Sequence, residues 1–126
     1  MSVLIELQRE TARAVHLIDQ EANAPERFYL VLFHAGAHPI NPWITAGVRM
    51  PDSCIARARG PYDATNKALE ILPRYFRANS RAVTLPIADR LAKYLRVDDI
   101  DRPLLARERY AIWRRIHADA GLEGVE

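Results

Sequence analysis

The stretch that decides the fold is Phe28-Tyr29-Leu30-Val31-Leu32-Phe33, six consecutive aromatic or aliphatic residues. Because successive side chains of a strand point to opposite faces, an unbroken apolar run leaves neither face polar. Such a run is typical of a strand that is buried on both sides. The sequence therefore predicts a strand at the centre of a sheet in this segment.

Three further segments downstream have strand character. Residues Ile44–Met50 alternate apolar and polar side chains, and Cys54–Arg59 can return as an antiparallel partner after the turn Pro51-Asp52-Ser53. Proline presets the first turn position and aspartate favours the next, which supports a hairpin here. A short β-branched and aliphatic stretch, Ala82–Leu85, can add a fourth strand.

Apolar residues at alternating spacings of three and four predict helices elsewhere. The predicted helices are Ser2–Ala22, Asp63–Phe76, Ile87–Val97 following Pro86, and Arg102–Ala120. We expect Asp63 to cap the second helix and Pro73 to kink or end it. We expect Asp101 to meet the positive end of the last helix and Gly121 to end it.

These elements predict a single α+β domain over residues 1–126, in the order α-β-β-β-α-(β)-α-α. Its three-stranded antiparallel sheet, with room for a fourth strand, is covered by helices. The chain is 49% hydrophobic and 27% charged, which is ordinary for a soluble globular protein and excludes a disordered one. Cys54 is the only cysteine, so no internal disulfide can form, and we expect a reducing, cytoplasmic location without a membrane span.

The net charge of +2 is unevenly distributed. Residues 51–98 hold nine basic and five acidic side chains, whereas each flanking part has one acidic residue in excess. A basic span favours an anionic partner, although arginines also serve simply to solvate exposed helix faces. The candidate binding residues are Arg57, Arg59, Lys67, Arg74, Arg77, Arg90, Lys93 and Arg96.

Features for catalysis are sparse. His34 and His38 have a spacing that suits a metal pair on a helix, but they straddle a strand end and a loop with no acidic residue or cysteine beside them. The pattern around Cys54 predicts a small buried residue rather than a nucleophile. No phosphate-cradling or dinucleotide-binding glycine motif occurs. We therefore expect no metal and no cofactor, and binding rather than catalysis.

Arg109 is the unusual residue of the last predicted helix, because its direction falls among Leu105, Ile112 and Ile116 rather than on the polar side. Three interpretations stay open for it: its stem lies along Trp113, it pairs with a buried carboxylate, or it lies at an interface. A structural role is the favoured interpretation.

Three architectural comparisons favour nucleic acid. Residues 87–120 allow a helix-turn-helix, with Arg107 and Arg114 on the exposed face of the second helix. The order helix, three strands, helix resembles double-stranded-RNA-binding domains, with Gly36 and His38 in the corresponding loop and Lys67 near the start of the second helix. The strand-strand-strand-helix order also resembles small bacterial antitoxins of the HicB type. Both resemblances concern element order and involve no shared motif.

The resulting hypothesis is a small, non-enzymatic bacterial or mobile-element regulatory module that contacts nucleic acid, or a nucleic-acid-handling partner, through its arginine-rich surface. One alternative is a protein–protein inhibitor or assembly factor, of the phage or toxin–antitoxin kind, whose arginines meet an acidic protein surface. Another is a small enzyme that uses His34 and His38. A homodimer is compatible with each of these functions.

Overall fold

A computed structural model describes residues 20–35, 51–72 and 80–123. In chain order the elements are β1 (Arg27–Ala35), β2 (Ser53–Ala58), α1 (Pro61–Glu70), β3 (Ser80–Pro86), α2 (Asp89–Ala92), a 3₁₀ turn (Val97–Asp99) and α3 (Ala106–Glu123). The strands form an antiparallel sheet in the order β2-β1-β3. The α+β class and the three-stranded antiparallel sheet are confirmed, and β1 is the central strand, as its apolar run predicts.

The two faces of β1 contact two different hydrophobic clusters. Tyr29, Val31 and Phe33 point to one face and Leu30 to the other, and all four are buried. Across the sheet, Val31 lies opposite Cys54 of β2. This alternation explains why a strand with no polar face is stable here, since each face is covered by a separate layer.

Helix α1 covers the first face and packs closely on β2. Its inward residues Ala64 and Ala68 are fully buried, and so are Ala56 and Ala58 of β2. Small side chains on both elements allow the helix to approach the sheet with few voids. On the side of α1 that faces β3, the hydroxyl of Thr65 forms a hydrogen bond of 2.7 Å with the hydroxyl of Thr84.

Helix α3 and the chain leading to it cover the second face. Ile112 and Ile116 of α3 pack with Leu30 and Ile55 of the sheet. Before the helix, Leu104 forms an isolated antiparallel bridge with Ser53. The Asp101 amide also donates to the Ile55 carbonyl at 2.8 Å. Residues 101–104 therefore form backbone hydrogen bonds along the edge of β2 that does not pair with β1.

The second predicted helix starts earlier than expected. It begins at Pro61, a residue well suited to the first helical position, and it ends at Glu70, before Pro73. The prediction that Asp63 is its N-cap is wrong, because Asp63 lies inside the first turn and its carboxylate accepts the Arg59 amide at 3.2 Å.

The helix predicted over Ile87–Val97 is wrong in length. Only the single turn α2 and the later 3₁₀ turn form. Side chains form hydrogen bonds with backbone groups that would pair with one another in a longer helix. The Asp99 carboxylate accepts the Arg96 amide at 2.8 Å, and Arg115 donates to the Tyr94 carbonyl at 2.8 Å. Without a first helix, this part of the chain does not form a helix-turn-helix.

The last helix begins at Ala106 rather than Arg102 and continues past Gly121 to Glu123. Asp101 does not cap it, because that residue has a φ of 57° and its amide pairs with β2. The Glu108 carboxylate accepts the Leu105 amide instead, at 3.2 Å. The predicted ends of this helix, Asp101 and Gly121, are therefore both wrong.

Two predicted elements lie largely or wholly outside the described residues. Of the helix predicted over Ser2–Ala22, the structure describes Gln20 and Glu21 as helical. The strand predicted over Ile44–Met50 lies entirely outside the described ranges. Within those ranges, no helix has the length and apolar character needed to cross a bilayer.

Candidate functional site

The described basic residues predicted to bind a partner form two separate groups. Arg57 and Arg59 lie at the end of β2, with Lys67 on the adjacent helix α1. The second group, Arg90, Lys93 and Arg96, lies in the chain around α2, which packs with α3. The remaining two, Arg74 and Arg77, lie outside the described residues. The structure thus brings Arg59 and Lys67 together in one candidate site, with Arg57 beside it on the other face of the sheet.

A cleft of about 440 Å³ opens at the N-terminal end of α1. It is lined by Glu21, Ala22, Arg59, Tyr62, Asp63, Asn66 and Lys67. The end of β2 and the first two turns of α1 supply most of this lining, and residues 21–22 close one side. Two of the eight predicted binding residues, Arg59 and Lys67, therefore share one cavity.

Glu21 holds the chain before β1 against this helix. Its two carboxylate oxygens accept the Tyr62 amide at 3.0 Å and the Asp63 amide at 2.9 Å. Both amides belong to the first helical turn, which has no internal acceptor for them, and the helix dipole favours a negative charge there. Gly60 makes the approach feasible, because a Cβ atom there would lie 2.2 Å from Glu21 Cδ.

Sequence reasoning missed Glu21 because its partners are 41 and 42 residues away. The local signal that exists is indirect. Gly60 followed by Pro61 indicates a helix start without a side-chain cap, so its first amides need an acceptor from elsewhere. That signal identifies the need for an acceptor but not the residue that meets it.

The basic side chains of the cleft differ in how far their charge is compensated. Lys67 donates to the Arg57 carbonyl at 3.0 Å and lies 3.6 Å from the Asp63 carboxylate. Arg59 donates to the Ala22 carbonyl at 2.7 Å, and no described carboxylate lies within ion-pair distance of it. Arg59 is thus the cation of the cleft with the most capacity for a further anion.

Arg57 lies beside the cleft, on the other face of the sheet. Its guanidinium pairs with Glu26 at 2.7 Å and lies 6.0 Å from the centre of the Phe28 ring. The pair is well exposed to solvent, so it contributes little to stability and can be exchanged for another anion at small cost.

The cleft is therefore a mixed site with acidic, basic and neutral polar groups. Both of its carboxylates are engaged, Glu21 by the helix amides and Asp63 by the Arg59 amide and Lys67. Tyr62 supplies a phenol ring and Asn66 an amide to the same lining. Such a set can hold a phosphate through Arg59 and a planar group through Tyr62.

The residues considered for catalysis do not form a site in the described structure. Cys54 is 1% exposed, and burial raises the pKa of its thiol to about 12, so it is a protonated core residue as predicted. His34 is exposed at the end of β1, while His38 lies outside the described residues. In the described ranges, no group of three histidine, cysteine, aspartate or glutamate side chains is placed to hold a metal.

Arg109 pairs with a partly buried carboxylate, one of the three interpretations left open by the sequence. Its Nε donates to Asp52 Oδ1 at 2.5 Å. This hydrogen bond raises the pKa of Arg109 above its ordinary value. Arg109 is thus a structural residue between α3 and the start of β2.

Comparison of the chain with protein-family models, with curated proteins and with solved structures finds no match.

Proposed function

We propose that the protein is a binding module that contacts nucleic acid, with the cations around the α1 cleft as its phosphate contacts. The observation that carries the proposal is that one 440 Å³ cleft combines Arg59 and Lys67 with an aromatic and an amide side chain. Arg57 lies beside the cleft on the other face of the sheet, where its guanidinium pairs with Glu26.

The chemistry of these groups fits a phosphate backbone. A guanidinium presents several N–H donors in one plane and binds phosphate oxygens strongly, whereas an ammonium acts as a point charge. Tyrosine offers a face on which any base can stack, and asparagine can hydrogen-bond base or sugar. Because no described carboxylate lies within ion-pair distance of Arg59, we expect an incoming phosphate to contact this residue first.

Binding is a better-supported activity than catalysis. The single thiol is buried, with a pKa of about 12, and cannot serve as a nucleophile at neutral pH. We further propose a reducing, cytoplasmic location, because the only cysteine contributes to the core as a free thiol.

Titration of fluorescently labelled duplex DNA, duplex RNA and single strands at two salt concentrations tests the proposal. Affinity should fall steeply with salt, because phosphate contacts release counterions. The double variant Arg59→Ala with Lys67→Ala should weaken binding. It should also reduce the slope of log affinity against log salt concentration by the amount expected for about one to two lost phosphate contacts. Arg81→Ala, which removes an exposed arginine at the opposite end of the sheet, is the control outside the cleft, to be compared with the single variant Arg59→Ala, and it should bind normally.

Failure of all the nucleic acids to bind at low salt would overturn the proposal. The same cations would then be assigned to an acidic protein surface, where charge complementarity controls association rate and specificity. Equal effects of the cleft variant and the Arg81 control would indicate non-specific attraction and would also contradict a defined site.

A further inference from the structure

Helix α3 is held by its inner side, and its outer side is not covered by any of the described residues. Ile112 and Ile116 are buried against the sheet. Arg109 is hydrogen-bonded to Asp52, and Arg115 forms an ion pair with the buried Asp99 and donates to the Tyr94 carbonyl. These contacts fix both the position of the helix and its rotation about its own axis.

The outermost residues of α3 form one stripe with alternating spacings of four and three. The stripe consists of Arg107, Ala111, Arg114, Ala118 and Gly121, all of which are exposed. On an α-helix this spacing places side chains in line on one face. None of the stripe residues packs in the core. Their identity is therefore not constrained by core packing and can suit a binding partner.

The two arginines of the stripe form no ion pair with a carboxylate of the described residues. The two nearest acidic residues of the helix are engaged elsewhere, Glu108 with Arg102 at 2.7 Å and Asp119 with Arg115 at 4.0 Å. No described carboxylate lies within ion-pair distance of Arg107 or Arg114. Charge complementarity therefore points to an anionic partner for this face.

The shape of the stripe favours close approach of that partner. Between and beyond the two arginines stand Ala111, Ala118 and Gly121, and a Cβ atom at Gly121 would meet nothing within 4 Å. The helix backbone can thus come near a partner while the arginines extend to either side. With a rise of about 1.5 Å per residue, the two arginines are roughly 10 Å apart along the axis.

We propose that this outer stripe of α3 docks in the major groove of duplex DNA, with Arg107 and Arg114 contacting phosphates along the groove. The major groove of B-form DNA is about 12 Å wide and admits an α-helix. The major groove of A-form RNA is too narrow and deep for side chains to enter. The stripe is a second surface, because α3 covers the face of the sheet opposite to that covered by α1 and its cleft. The inference rests on the proposed nucleic-acid function and names its partner as duplex DNA.

The test compares a DNA duplex and an RNA duplex of the same sequence, each labelled, over a series of salt concentrations. The double variant Arg107→Ala with Arg114→Ala should weaken DNA binding about tenfold or more and lower the salt slope by about two contacts. Ala118→Glu, which adds a negative charge to the stripe, should also weaken DNA binding. Both variants should keep the wild-type unfolding midpoint, because the replaced side chains are exposed. Arg81→Ala is again the control.

The outcomes separate the two proposals. Wild-type affinity of the stripe variants for DNA, together with weaker binding by the Arg59 and Lys67 variant, would overturn the stripe assignment and leave the cleft standing. Equal losses on DNA and RNA duplexes would overturn the groove assignment. Absence of any binding by the wild-type protein at low salt would instead overturn the proposed function. If the protein then bound to an immobilised acidic protein, the stripe would be assigned to a protein partner.

Discussion

The Arg109 guanidinium lies 2.5 Å from Asp52 Oδ1 and joins helix α3 to the chain segment that begins β2. Backbone hydrogen bonds run in parallel with this ion pair, because the Asp52 amide donates to the Leu104 carbonyl at 2.7 Å just before the helix. The two side chains are 23% and 29% exposed, so water screens the pair only in part. One side-chain pair thus anchors the N-terminal end of α3 to the sheet.

Breaking this pair should destabilise the protein. Asp52→Asn or Arg109→Met should each lower the free energy of unfolding by about 1–2 kcal/mol, since a partly buried charge loses its partner. Chemical denaturation measures the effect, and the double variant should cost less than the sum of the single ones. Arg107→Met, on the exposed face of the same helix, is the control and should change stability by less than about 0.5 kcal/mol. Additive single effects would contradict a direct interaction.

Gly60 and Glu21 should show strong coupling. Gly60 has extended backbone angles that any residue can adopt, so the cost of Gly60→Ala arises from the clash with the Glu21 side chain. Displacing Glu21 removes its two hydrogen bonds to α1 and should cost about 1–3 kcal/mol. In a Glu21→Ala background the same glycine substitution should cost much less. Thermal or chemical unfolding of the four proteins gives the coupling energy, and a cost that is independent of residue 21 would argue against the contact.

The Cys54 thiol should be unreactive in the folded protein. It is buried and its pKa is about 12, so a chromogenic thiol reagent at pH 8 should modify it only as fast as the structure opens. In denaturant the same thiol should react at once and in full. Because the folded pKa lies above the ordinary value of 9.0, unfolding exposes a thiol that ionises more easily, and stability should decline as pH rises beyond about 9. Rapid labelling of the native protein would contradict this.

Glu108 should stabilise the protein in a pH-dependent manner. The hydrogen bond from Arg102, followed by that from the Leu105 amide, lowers the pKa of the Glu108 carboxyl below its ordinary value of 4.5. A lowered folded pKa means that the contribution is present above pH 4.5 and is lost as pH falls through the folded pKa. Glu108→Gln should therefore cost less than about 1 kcal/mol at pH 7, with the difference from wild type disappearing in acid. A difference that stays constant down to pH 3 would refute this role.

The elements predicted correctly are those whose cause is local. The apolar run of β1 identifies a central strand because burial on both faces needs apolar residues at every position. The strand at Ala82–Leu85 and the inward positions of Ile112 and Ile116 follow from residue type and spacing alone. The candidate site was predictable only in part, since charge counting identifies Arg59 and Lys67 but does not show that they share a cleft.

The errors concern ends and pairings that depend on distant residues. The predicted helix over Ile87–Val97 has suitable periodicity, yet the buried Asp99 and Arg115, 16 residues apart, take up its backbone groups and shorten it. Leu104 pairs with Ser53 in preference to an earlier start of α3. Local propensity amounts to a few tenths of a kcal/mol per residue, so such tertiary hydrogen bonds and burial decide where an element stops.

By itself, the sequence determined the α+β class, the central strand, the apolar stripe of the last helix and the inert character of Cys54, because each follows from the pattern of neighbouring side chains. The tertiary structure alone decided that Glu21 holds the start of α1 and that Asp52 holds Arg109, contacts between residues 41 to 57 positions apart. It also decided which arginines remain available to a partner. A charge is most available where folding has placed no carboxylate beside it, and that placement is a property of the packed chain rather than of any segment.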